Sequence, residues 1–164
     1  MISKVMQTAI NEQINKELFS SYLYLSMASY FADKNLSGFA AWLLVQVDEE
    51  RLHGMKFYDY LVDRGGRVEL KAIAVPRSEW KSSLEAFKEV QSHEAAVTAS
   101  INALYELALM EKDYPTQVLL QWFITEQVEE EMNAAEIVQQ LELIDAHGTA
   151  VLMLDKQLAK RSGE

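Results

Sequence analysis

Asp48-Glu49-Glu50-Arg51-Leu52-His53 is the stretch whose reading decides the fold. Glu50 and His53 stand three residues apart, so on a helix they project about 60° from each other and can address one object. Leu43 and Val47 precede them on the same face, and Phe57 and Leu61 follow. That is an apolar stripe at helical spacing, of the kind that faces a bundle core. A carboxylate inside such a stripe needs a partner, because burying it alone is far too costly. A single Glu-x-x-His occurs by accident on many solvated helices. Here three further segments repeat the anomaly.

Outward from that stretch, the pattern predicts four long helices. Ser3 caps the first, whose periodicity runs through Val5, Ala9, Gln13, Glu17, Ser20, Tyr24 and Ala28 to about Asp33. After the turn Lys34-Asn35-Leu36-Ser37, with Ser37 as cap, the second helix runs until Gly65-Gly66 stops it. Arg67-Val68-Glu69-Leu70 then alternates like an extended strand, and Pro76 forbids a helix interior. A link this long has a job in a compact domain. It can retrace the length of the second helix, about 40 Å, and so set the second and third helices parallel. Ser82 and Glu85 form a capping box for the third helix, which carries Phe87, Val90, Glu94, Val97, Ile101 and Leu104 on one face. Pro115 opens a fourth, through Leu119, Phe123, Glu126, Glu130, Ala134, Ile137 and Leu141, ended by His147-Gly148. A short fifth helix, Thr149 to about Lys160, is too apolar at Val151, Leu152, Leu154 and Leu158 for a free tail.

The expectation is one all-α domain over 1–164, with a four-helix bundle at 3–145 and a terminal helix at 149–160. A chain of 164 residues can bury a substantial core. No stretch is apolar for long enough to cross a bilayer, and Met1-Ile2-Ser3-Lys4 leads into no signal-peptide core. The absence of cysteine excludes disulfides, thiolate metal sites and cysteine nucleophiles. Cytoplasm is the default location. The net charge of −10, from 25 acids against 15 bases, disfavours nucleic acid and gathers cations. Between Lys112 and Lys156 there is no Lys or Arg, although Glu126, Glu129, Glu130, Glu131, Glu136, Glu142 and Asp145 all fall there.

Each long helix thus places a carboxylate in its core stripe: Glu17, Glu50 with His53, Glu94 and Glu130. No Lys or Arg lies in those stripes; Lys16, Arg51 and Lys88 fall off the faces. Converging carboxylates without cations either hold protons or bind metal ions. Oxygen ligands with one imidazole suit iron(II) or manganese(II) better than a zinc site. Trp122 is expected to pack in the core. His93 points about 100° away from the core stripe, and His147 falls at a helix end, so both read as structural or solvated.

Taken together, Glu17 with Tyr24, Glu49-Glu50-x-x-His53, Glu94 and Thr125-Glu126-Gln127-Val128-Glu129-Glu130 resemble a prokaryotic non-haem ferritin, and ferritin-like carboxylate proteins are the standing example of such bundles. The likeness covers nearly the whole chain, including the long crossover, the Asp113-Tyr114-Pro115 break and the short terminal helix. What it implies is a dinuclear ferroxidase centre, with Glu17 and His53 on the first iron, Glu50 bridging, and Glu94 and Glu130 on the second. Gln127 would hydrogen-bond oxygen species or water beside the pair. Glu49, Glu126 and Glu129, sharing Glu130, match a third iron site. Tyr24 would hydrogen-bond near the bridge and could supply an electron. The family further implies a cage of twenty-four copies that oxidises iron(II) with dioxygen or hydrogen peroxide and stores ferric mineral.

Departures separate the relatives. Glu130 is followed by Asn133 rather than by a second Glu-x-x-His, and Arg51 stands where bacterioferritin has its haem methionine, so no haem is expected. Rubrerythrin needs a cysteine iron domain, and the light-chain type of animal ferritin lacks the ligands found here. Gln117 and Leu120 replace the acids that line the three-fold channel of animal heavy chains, which argues against an acidic funnel. The rival readings are another carboxylate-bridged dimetal oxidase or peroxidase, and a non-catalytic structural bundle.

Overall fold

A computed structural model describes residues 1–144 and 148–161. Five helices are present among them: α1 (Lys4–Asp33), α2 (Ser37–Asp63), α3 (Ser83–Met110), α4 (Tyr114–Ile144) and α5 (Gly148–Leu158). The described residues contain no strand. Asp145 and His147, placed by sequence at the end of the fourth helix, lie outside the described residues, and Gly148 opens α5 instead of ending α4.

The first three helices end in the same way. Leu36 N–H donates to Phe31 O, Gly66 N–H to Leu61 O and Asp113 N–H to Ala108 O, each from two residues past the cap. The residue between takes a left-handed backbone, Asn35 at φ 58°, Gly65 at 71° and Lys112 at 53°. This closure satisfies carbonyls that a helix end otherwise leaves bare. At the starts, Ser3 accepts from Met6 N–H and Ser82 from Glu85 N–H, as expected. Glu85 reaches back to Lys81 N–H rather than to the cap residue itself.

Ser37 does not cap α2. Leu36 holds the cap position without a side-chain bond, and Gly38 and Phe39 N–H both donate to Asp155 Oδ1, at 2.7 and 2.9 Å. A residue of α5 therefore serves the free amides of α2, which local sequence could not reveal. Gly38 permits it, since a Cβ there would stand 1.6 Å from Asp155 O. Leu154 and Leu158 sink into the core beside this contact, while Leu152 and Met153 stay exposed.

The crossover is extended but not a strand. Asn11 of α1 replaces the missing ladder: its Nδ2 donates to Arg67 O and its Oδ1 accepts from Glu69 N–H. Farther along, Tyr30 Oη donates to Trp80 O, and Trp80 is buried. The contacts fix direction. Gln46, His53 and Tyr60 of α2 meet Glu130, Trp122 and Thr116 of α4 in reverse order. Gln13 and Ser20 of α1 meet Ser100 and His93 of α3, likewise antiparallel. With α1 and α2 joined by a short turn, α2 and α3 run parallel, as the crossover requires.

The apolar core is split into two parts. One gathers Phe31, Phe39, Trp42 and Phe87 with the end of α4 and α5; the other gathers Met6, Ile10, Phe57, Ile101 and Phe123. The polar residues between them form the site. Leu120 lies wholly inside the second cluster, so it cannot line a channel.

Candidate metal centre

Four acids occupy the gap between the two apolar clusters. Glu17, Glu50, Glu94 and Glu130 are each no more than 3% exposed. Long uninterrupted helices make this possible, because each residue sits near mid-helix, where the backbone is rigid and its own hydrogen bonds are closed. Glu17, Glu50 and His53 can bring one ligand atom each within 4.8 Å of one another. Glu94 and Glu130 fall outside that group of three but act on Glu50 through their charge.

Each acid is held differently. Gln13 Nε2 donates to Glu17 Oε1 at 2.7 Å, and Gln46 Nε2 donates to Glu130 Oε2 at 2.9 Å. Tyr24 Oη donates to Glu94 Oε1, so the tyrosine addresses Glu94 rather than the position expected to bridge. Gln127 Nε2 donates to Glu94 Oε2 at 3.2 Å and to Thr98 Oγ1 at 3.3 Å, so its amide orients the Glu94 carboxylate. Glu17 and Glu50 approach closely enough to share a proton. Otherwise Glu17 Oε2 and both Glu50 oxygens find no hydrogen-bond donor among the described residues.

Burial drives the electrostatics. It pushes the Glu17 carboxyl up to about 7, against the opposing pull of Gln13. It pushes Glu130 up to about 8, helped by the charge of Glu94. Glu50 is raised well above the usual carboxylate range by burial and then by Glu94, Glu17 and Glu130. Glu94 rises for the same first reason, with Tyr24 and Gln127 resisting. The Tyr24 phenol is held well above its ordinary value by burial and by the Glu94 and Glu50 charges. His53 moves the other way, down to about 4, because burial disfavours the imidazolium and Lys56 repels it. A neutral imidazole with its lone pair available beside three orphaned carboxylate oxygens fits a hard cation.

Outside this gap lies a second acidic group. Glu49, Glu126, Glu129 and Glu130 line a cavity of about 490 Å³ with Trp42, Asn133 and Arg161. Glu126 Oε1 stands 4.0 Å from His53 Nε2, which joins the two groups. A neighbouring cavity of about 420 Å³, lined by Glu49, His53, Lys56, Asp59, Trp122 and Glu126, opens the centre sideways between α2 and α4. Trp122 stands there, 40% exposed, with its ring edge-on to His53 and Lys56 Nζ 4.0 Å from its centre. It is a rim residue, not the core residue expected, because Phe123 takes the inward position and stacks on Phe57. His93 is structural, with Nε2 2.8 Å from Ser20 Oγ and its ring against Phe19 and Tyr24.

A model of the ferritin-like domain matches residues 7–144. The chain belongs to the ferritin family. This ferritin is 41% identical over 162 residues to a bacterial non-heme ferritin of Staphylococcus haemolyticus, covering 99% of this chain and 98% of that one. A bacterial non-heme ferritin of Staphylococcus aureus is 38% identical over the same share. Among solved structures, an open-pore ferritin from the hyperthermophilic archaeon Archaeoglobus fulgidus is 51% identical with a TM-score of 0.98, covering 99% of this chain and 100% of that one. An engineered closed form of the Archaeoglobus fulgidus ferritin is 50% identical with a TM-score of 0.98, covering all of both chains. Both comparisons place this ferritin among the prokaryotic, non-haem members of the family.

Several residues of the site escaped the sequence reading. Gln13 and Gln46 each lie four residues before a buried glutamate, Glu17 and Glu50, and that repeated Gln-x-x-x-Glu was the available signal. Arg161, which donates to Glu49 Oε2 at 2.8 Å, gave none, since its partner lies more than a hundred residues away.

Proposed function

We propose that this chain is an iron-storage ferritin that oxidises iron(II) at a dinuclear centre and keeps the ferric product inside a hollow cage of twenty-four copies. The observation that carries the reading is the set of orphaned oxygens on Glu17 and Glu50 beside neutral His53, buried without a hydrogen bond to any Lys or Arg among the described residues. In this reading Glu17 and His53 take one iron(II), Glu94 and Glu130 take the other, and Glu50 lies between them. Hard carboxylate oxygens favour the ferric product over the ferrous substrate. Each of two iron(II) ions gives up one electron; dioxygen takes both with two protons and leaves as hydrogen peroxide, which itself can serve as oxidant. Tyr24 and Gln127 fix Glu94, while Gln13 and Gln46 fix Glu17 and Glu130, so the ligands are aimed before the substrate arrives. Glu49, Glu126 and Glu129, with Glu130, form the third, outer iron site, on the path from the side opening. No haem enters this reading, because Arg51 is exposed on α2 and offers no axial ligand.

The test is anaerobic iron(II) titration of the assembled protein, followed by an oxygen pulse with particle size measured on the same sample. Two tightly bound iron(II) per chain and a soluble ferric particle are expected. A chain that oxidises iron but precipitates it would instead be an ordinary dimetal oxidase, and one that binds none would be a structural bundle.

A further inference from the structure

The turn that follows α5, closed by Lys160 N–H on Gln157 O and Arg161 N–H on Leu158 O, delivers a positive charge to the outer acidic cavity beside α2. Arg161 Nη2 donates to Glu49 Oε2 at 2.8 Å, and both side chains are only 20% exposed. The guanidinium also lies over the Trp42 ring, 4.4 Å from its centre. Its Nη1 is buried without a hydrogen-bond partner among the described residues. The ion pair therefore rests on one nitrogen rather than on the two-pronged geometry that makes arginine–carboxylate pairs hard to exchange. Arg161 and Lys160 line the same cavity as Glu49, Glu126, Glu129 and Glu130. The charge of Arg161 reaches as far as Glu130, where it opposes the upward push of burial.

We propose that Arg161 is an internal cation that competes with metal for the outer carboxylate cluster, so that filling the cluster releases the turn that follows α5, residues 159–161. The inference rests on the outer-site reading given above. A divalent ion bound there needs Glu49 as an oxygen ligand and repels a guanidinium in the same cavity. Whatever binds one arrangement better than the other shifts the balance by its differential affinity, and the effect is reciprocal. The rest of α5 has its own anchors, Leu154 and Leu158 in the core and Asp155 on α2. Release thus loosens the end of the chain and leaves the helix docked.

Redox-inert zinc(II) tests this on the metal-free assembled protein by calorimetric titration, with hydrogen exchange of 157–161 followed alongside. Arg161→Gln is expected to tighten the weakest class of zinc sites about tenfold, the scale of losing one partly buried like charge. Arg161→Lys keeps the charge and stays within about threefold of the parent. Zinc saturation speeds exchange at 157–161 in the parent and has no effect on it in Arg161→Gln. If Glu129→Gln removes the weak class while Arg161→Gln leaves its affinity unchanged, the competition is wrong and the outer site stands. If the weak class survives Glu129→Gln, the outer-site reading itself fails and takes the inference with it.

Discussion

Glu50→Gln should make the metal-free protein more stable and the iron chemistry far slower, and the opposite signs are the point. Glutamine keeps the shape of the side chain and removes its charge. In the metal-free protein both Glu50 oxygens lack donors apart from the proton shared with Glu17, and three acids repel any charge placed there. The scale of the cost comes from Glu17, whose folded pKa of about 7 lies above an ordinary 4.5. At about 1.4 kcal/mol per unit, holding such a carboxylate ionised costs on the order of 3 kcal/mol once the pH passes the folded value. The sign follows. These raised carboxyls stabilise the folded chain fully below about pH 4.5, and that stability drains away as pH climbs through 7 and 8. His53 runs oppositely: its folded pKa near 4 makes stability fall as pH drops below 6.5, so the two effects part company above neutrality. Glu50→Gln should therefore gain about 1–3 kcal/mol over the parent at pH 8.5, and much less at pH 5.5, in chelator-treated samples unfolded by denaturant at one protein concentration. Initial iron(II) oxidation at two irons per chain should fall at least about a hundredfold. A variant that is less stable at pH 8.5, or that oxidises iron at the parent rate, would refute the reasoning.

Three further outcomes are expected. Gln46→Leu removes the donor to Glu130, pushing that carboxyl above about 8, and should weaken anaerobic iron(II) binding about tenfold by titration at pH 7. Metal binding at pH 7 should release protons, chiefly from Glu17, Glu50 and Glu130, so the apparent heat of zinc(II) binding must change with buffer ionisation enthalpy; a heat independent of buffer would contradict it. Gly38→Ala drives a methyl into the Asp155 carbonyl and should undock α5 while the four long helices persist, seen as loss of exchange protection confined to 148–158.

The architecture was legible because helical periodicity is a local signal. Glu17, Glu50, Glu94 and Glu130 announced themselves as acids in apolar stripes that contain no Lys or Arg, and each is buried. The closures at Asn35, Gly65 and Lys112 were legible in part: glycine advertises a left-handed backbone, lysine does not. Asp155 on α2, Arg161 on Glu49 and Asn11 on the crossover were not legible, since each joins residues more than fifty positions apart. Trp122 was misplaced because two adjacent aromatics, Trp122 and Phe123, competed for one inward slot. Leu120, which stands where animal heavy chains carry a channel acid, shares a stripe with Phe123 that marks it as core.

The division of the apolar interior into two bodies carries a mechanical consequence. With the belt between them lined by mutually repelling acids, each half of the empty protein is stitched to the other mainly by continuous backbone. A bound pair of metal ions acts as a rivet through all four long helices at once. Draining the metal should split a single melting transition into two, and reloading should fuse them again.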